Sequence, residues 1–179
     1  IGDCVSWNPQ FTHWANNEWR WVVKNILLPG VLKTSVRHSV LPSVLYTTQE
    51  VARVWKTRIQ LLKHFQWDDI ITKRIDFSHN DRSRVTDDEM GFVMIHFKRV
   101  SGKILWATIV WSGAGEMIAT LTTAMQQKIS AYKLSKQVFA YPTKSEIIKK
   151  ICDQFVLHTL WSIKAEIKYI FKENILQII

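Results

Sequence analysis

Six histidines, two cysteines and a short run of acids are the most chemically versatile side chains in this 179-residue chain. His13, His38, His64, His79, His96 and His158 show no HExxH or other metal-ligand spacing, so each reads first as a surface or packed histidine. Cys4 and Cys152 are isolated, with no CxxC and no Cys/His zinc pattern. A disulfide between them stays open on sequence grounds, although sparse cysteine usage suits a reducing cytoplasm. Asp87, Asp88 and Glu89 read as a solvated acidic loop. Gly113-x-Gly115 sits where a phosphate-cradling loop could lie, but the GxGxxG spacing is incomplete and no acid ends a following strand. It reads as a tight strand-to-helix connection. No nucleophile–base–acid set follows from chain order, because such sets assemble in space.

The elements that must position these residues are legible from periodicity. Turn formers fill 1–12, and Thr12 is placed to cap a helix over 13–28 that Pro29-Gly30 ends. Residues 31–42 read as a polar connector. A strand is expected over 43–54, a helix over 57–66 and a strand over 69–77, followed by a charged loop over 78–90. Then Phe92, Met94, His96 and Lys98 alternate with Val93, Ile95, Phe97 and Arg99, as a half-buried strand should. Ser101-Gly102 turns this strand into KILWATIVW, which completes a β-hairpin. Helical spacing returns at 114–129, at 144–156 behind Thr143, and at 157–176. A hairpin without regular βαβ crossovers predicts an α+β fold with an antiparallel sheet flanked by helices.

Composition excludes several classes. Hydrophobic residues make up 47% and charged residues 22%, which rules out a disordered tail, a collagen-like repeat or a disulfide miniprotein. The net charge is +9, from 24 Lys+Arg against 15 Asp+Glu. A polyanion partner is one explanation, but the cations are scattered, and Lys144, Lys149, Lys150, Lys164, Lys168 and Lys172 read as a solvated helix face. Residue chemistry alone therefore stops at a cytoplasmic α+β domain, open to a role as a basic interaction module or a nucleic-acid binder.

Several segments together carry more. IGDC (1–4), NPQFTHWANNEWR (8–20), LPSVLYTTQEVARVWKT (41–57), ILWATIVWSGAGEMI (104–118) and YPTKSEI (141–147) resemble the FAD-dependent pyridine nucleotide–disulfide oxidoreductases, the family of glutathione, mercuric and dihydrolipoamide redox enzymes. The resemblance implies that 1–30 ends an FAD-binding domain and that 31–153 is a dimerisation domain. Residues 154–179 lie outside it as a C-terminal helical extension. It assigns Asp3, beside Gly2, to the ribityl chain of the flavin. It sets Gln10, Phe11, Thr12 and His13 at the flavin's pyrimidine edge, mainly through backbone N–H groups, where a helix N-terminus favours a ring that becomes anionic on reduction. NADH or NADPH would be the co-substrate and a homodimer the assembly.

The YPTKSEI turn would reach the partner subunit's redox dithiol. Where many members carry a histidine this chain has Tyr141, with Glu146 five residues on, as in mercuric reductase-like members. A phenol has an ordinary pKa of ~10, so Tyr141 is a poor base near neutrality. It can donate a hydrogen bond to a thiolate or bind a metal substrate as phenolate. The redox cysteine pair and the NAD(P) domain would precede Ile1, so the chain reads as a C-terminal fragment that is inactive alone. In the extension, Ile163, Ile167, Ile170 and Phe171 share one helical face with Lys164, Lys168 and Lys172 opposite. That face suits packing on the domain or its dimer mate, or else a membrane surface.

The chain holds nine tryptophans against six glycines. Trp55, Trp106 and Trp111 stand where the resembling family has glycine, and Trp7 and Trp19 stand where a small residue would suit. Several such replacements in close-packed positions would each cost ~1–3 kcal/mol by overpacking. A gene whose UGA codons mean glycine, read with a table that makes them tryptophan, would give this pattern. UGG codons at Trp55, Trp106 and Trp111 would end that explanation.

Overall fold

A computed structural model of the chain describes residues 1–6, 9–33, 40–54 and 65–176, with side chains in the last helix described to Ser162. The expected helix over 57–66 falls almost wholly outside these residues, as do Trp7 and Trp55. Five strands form one antiparallel sheet: β1 Pro42–Leu45, β2 Glu50–Val54, β3 Ile70–Asp76, β4 Phe92–Lys98 and β5 Ile104–Trp111. Their spatial order is β1-β2-β5-β4-β3, so the last strand made is the central one. The α+β class and the antiparallel sheet are as the sequence predicts.

The β4–β5 hairpin carries the core. Val93, Ile95 and Phe97 are fully buried, in the alternation read from sequence, and β5 sets Ile109 and Ala107 opposite Val93 and Ile95. Ile71 and Ile75 of β3 continue the same face. Two helices close over it. α3, Ala114–Gln126, buries Ala114, Met117, Ile118, Leu121 and Ala124 at helical spacing. α5, Glu146–Leu176, buries Ile147, Ile148, Ile151, Cys152 and Phe155, and the Phe155 ring lies 4.7 Å from that of Phe97. The short α4, Ala131–Leu134, fills the gap between them with Ala131 and Leu134.

Several expectations need correction. The strand expected over 43–54 is two strands, because Tyr46, Thr47, Thr48 and Gln49 make a turn that Thr47 Oγ1 closes on the Gln49 carbonyl at 2.5 Å. The charged loop over 78–90 contains a helix, α2 Asp81–Val85, capped by Asn80 Oδ1 accepting from the Ser83 N–H at 3.0 Å. The two helices expected over 144–156 and 157–176 are one, since nothing near residue 156 breaks the helix. Thr143 does not cap it; its hydroxyl donates to the Ala140 carbonyl at 2.8 Å. Thr12 is the first residue of α1, Thr12–Leu27, whose cap position is Phe11. Cys4 is exposed, Cys152 is buried and both are free thiols, so no disulfide joins them. Burial pushes the Cys152 thiol up to about 12, which makes it inert.

Trp106 and Trp111 do not overpack the core. Both are half-buried: Trp106 stacks on His96 with centroids 4.4 Å apart, and Trp111 lies 5.4 Å from Phe77. Trp19 is half exposed on α1. Gly91 has φ +118°, and a Cβ there would fall 1.9 Å from the Val110 carbonyl oxygen.

Candidate functional site

The sequence-derived site residues gather in two separate places. The first is the start of α1. Gly2 lies buried with φ +65°, in a 3-10 turn spanning Gly2–Cys4, and its N–H donates to Glu18 Oε2 at 2.6 Å. This ties the chain entry to the second turn of α1 and leaves Asp3 exposed. α1 begins after Phe11, which has no side-chain oxygen to cap it. Among the described residues no side chain caps the first N–H groups of the helix, at Thr12 and His13, so they keep their polarity for a group outside it. Gln10, Phe11, Thr12 and His13 form one wall of a cleft of about 620 Å³, with Pro42 and Val44 of β1 and Gly115, Ile118 and Thr122 of α3 on the other. The His13 ring stacks on Phe11 at 5.3 Å, and its Nε2 meets the Pro42 carbonyl at 2.9 Å. Across the cleft, Glu50 Oε2 accepts from the Gly115 N–H at 2.8 Å. That bond gives α3 the carboxylate its N-terminus favours, and it explains the Gly113-x-Gly115 segment as a connection. Gly2 and Asp3 do not line the cleft.

The second place is the turn ahead of α5. Tyr141 is 71% exposed and stands beside Asp81 of α2, whose carboxylate acts electrostatically on its hydroxyl. The negative charge of the Asp81 carboxylate, then the loss of solvation and the charge of Glu146, hold the phenol above its ordinary range. Tyr141 is thus a protonated donor at neutral pH, and the phenolate form is disfavoured. Glu146 opens α5, and its Oε2 is buried with no hydrogen-bond partner among the described residues. Lys144 sits between them, ion-paired to Asp88. Burial opposes ionisation of Asp88, but hydrogen bonds from Lys144, Trp111 and Ser112 and the Lys144 charge outweigh it. They set its carboxyl below the usual carboxylate range.

A family model described as the pyridine nucleotide-disulphide oxidoreductase dimerisation domain matches residues 41–152, which spans the whole sheet, α3 and the turn. The chain belongs to that family. A dihydrolipoyl dehydrogenase from Trypanosoma brucei brucei is 34% identical over 154 residues, covering 85% of this chain and 31% of that protein. A mitochondrial dihydrolipoyl dehydrogenase from Dictyostelium discoideum is 32% identical over 151 residues, covering 84% and 30%. Among solved structures, LpdA from Mycobacterium tuberculosis superposes with a TM-score of 0.74 at 22% identity, covering 86% of this chain and 32% of that one. The Cu(II) complex of the HOCl-induced flavoprotein disulfide reductase RclA from Escherichia coli gives 0.72 at 23%, covering 82% and 33%. At that identity the likeness speaks for the fold. The chain spans about a third of the length of the relatives it matches.

In this oxidoreductase-family fold the two groups of residues stay apart. Neither Tyr141 nor Glu146 lines the cleft beside α1. Sequence reasoning passed over Asn80 and Asp81 and read Asp88 as a solvated acid, whereas the structure sets all three against the turn. The one legible signal was Asn80 with Ser83 three residues later, a helix-start pattern. Among the described residues no group of three or more His, Cys, Asp or Glu could hold a metal ion, and no helix is long and apolar enough to cross a membrane.

Proposed function

We propose that the chain is the C-terminal part of an FAD-dependent NAD(P)H oxidoreductase that works as a homodimer, and that it is inactive by itself. The observation that carries this reading is the uncapped start of α1 facing a cleft wide enough for a planar ring. Those residues fit a flavin. The Thr12 and His13 N–H groups would meet its pyrimidine edge, the Phe11 and His13 rings would supply a flat wall, and the exposed Asp3 carboxylate would accept from ribityl hydroxyls. When bound, FAD supplies two-electron transfer between the nicotinamide and the acceptor.

The chain's own residues orient, exclude water and move protons. The positive end of α1 favours the negative charge that arrives with electrons at the pyrimidine edge. Tyr141, kept protonated by Asp81, donates a hydrogen bond and does not serve as a base. Its exposure leaves it free to enter the partner's active site, as two-fold symmetry allows. The residues match the family through the dimerisation domain, which supports self-association.

The test uses the full-length gene product and the 179-residue chain side by side. The full-length protein should copurify with FAD and oxidise NADH or NADPH with an added acceptor, whereas the chain alone should do neither. The chain should sediment as a dimer with little salt dependence. Steeply salt-dependent binding to DNA or RNA, with no self-association, would favour a basic interaction module and overturn the proposal.

A further inference from the structure

The cleft and the exposed phenol leave one group of side chains unexplained. The acidic segment around α2 grips the Tyr141–Glu146 turn at several points. Asn80 is fully buried, and its side-chain amide works in two directions. Oδ1 accepts the Ser83 N–H at 3.0 Å, and Nδ2 donates to the Thr143 carbonyl at 3.1 Å. Asp81 faces Tyr141 with its negative charge, and its Oδ2 stands 3.8 Å from Lys150 Nζ. Asp88 is the most heavily committed. Its Oδ2 accepts from Lys144 Nζ, from Trp111 Nε1 at 2.7 Å and from Ser112 Oγ at 3.0 Å. Lys144 Nζ also lies 4.2 Å from the centroid of the Trp111 ring. The contacts at Thr143 and Lys144 fall between Tyr141 and Glu146, and the contact at Lys150 lies one helical turn beyond Glu146.

A solvent-exposed ion pair is worth ~0–1 kcal/mol and would not by itself fix a turn. This one differs. Lys144 and Asp88 keep only 16% and 28% of their side-chain surface exposed, and the carboxylate is shared by three donors. Removing the charge would leave a half-buried ammonium without its counter-ion and loosen the turn at its centre. For comparison, Arg74 and Asp76 form a similar 2.7 Å pair on β3 with both side chains about half exposed and nothing of the turn attached.

We propose that Asp88, acting through Lys144, is a positioning residue for the reaction. It sets where Tyr141 and Glu146 stand when the turn enters the partner's active site, and it touches neither substrate nor cofactor. The inference rests on the proposed function above. A misplacement of ~1 Å in a group that meets the reacting atoms costs on the order of 100-fold in rate, so loosening this turn should show in turnover.

The experiment measures the full-length dimer with NADH or NADPH and two acceptors. Lipoamide requires the dithiol and the turn, whereas ferricyanide takes electrons from the flavin alone. Asp88→Asn should lower kcat with lipoamide about tenfold or more, with KM for the nicotinamide and the ferricyanide rate unchanged. Lys144→Gln breaks the same bond from the other side. It should give the same split, and it carries the test if Asp88→Asn fails to fold. Asp88→Glu should recover most of the lost turnover, and Arg74→Gln should behave as wild type. Equal loss with both acceptors, or no loss with lipoamide, would overturn the assignment.

If the wild-type protein reduces neither acceptor, the functional reading fails and a second readout decides the positioning claim. With fluorotyrosine at position 141 in the 179-residue chain, Asp88→Asn should shift or split its fluorine resonance at an unchanged melting temperature. An unmoved resonance would refute it.

Discussion

The two places proposed to carry chemistry are built in opposite ways. The start of α1 works through backbone and presents what it leaves unpaired. Trp14 and Glu18 are the buried residues of that helix, and its link to the sheet at the cleft is the His13–Pro42 contact. The Tyr141–Glu146 turn works through side chains and is tied down by Asn80, Asp81 and Asp88. An unpaired helix end is completed by a group outside the helix, whereas a pinned turn holds its own side chains in place.

That contrast can be broken most violently at Gly91, where β4 begins and the pinning segment ends. Gly91→Ala places a Cβ against the Val110 carbonyl at a φ that disfavours side chains, so a loss of ~4 kcal/mol or failure to fold is expected, read by urea unfolding. Acid should act next. Burial lowers His96 to about 4 from its ordinary 6.5, so the native state holds it neutral while the unfolded state takes up a proton. Stability should be full above about 6.5 and fall as pH drops towards 4, by up to ~3 kcal/mol. His96→Gln should flatten the urea midpoint across that window. Asp88, whose carboxyl is also lowered, contributes stability that is lost only in stronger acid, as pH falls through its folded value.

Asn80→Ala sharpens the contrast. It removes the cap of α2 and the bond to the Thr143 carbonyl, for a cost of ~2 kcal/mol, and hydrogen exchange should quicken in 141–146 but not in α1. At the other place His13→Ala should change stability by no more than ~0.5 kcal/mol, read by the same urea titration, because its one bond is exposed. A larger loss there would show that the α1 side is as firmly built as the turn.

The sheet was legible because its signal is local. Strict alternation from Phe92 to Arg99 and a Ser-Gly turn define a hairpin without reference to the rest of the chain. The apolar spacing of Met117, Ile118 and Leu121 does the same for α3. What escaped was set by partners distant in sequence. Asp88 looks like one of three solvated acids until Lys144, 56 residues away, meets it. Glu50 reads as an ordinary strand residue until it caps a helix 65 positions later. Thr12 and Thr143 are good cap residues by type, yet backbone geometry puts each just outside the cap position. The residues named from resemblance lie near the α1 start and in the turn, with Gly2 and Asp3 outside the cleft. The contacts of Asn80 and Asp88 with the turn join residues far apart in sequence.

The strand order also has a consequence for how the chain is made. β1 pairs with β2 and β3 pairs with β4, but the two pairs meet only through β5. During synthesis both pairs leave the ribosome with an open inner edge, and Glu50 must wait for Trp111, 61 residues later, before β2 finds its neighbour. Until residues 104–111 emerge, two half-sheets expose hydrogen-bonding edges to anything nearby. Assembly of this domain is therefore governed by its final strand, and the interval before that strand arrives is when the nascent chain is most exposed to mispairing.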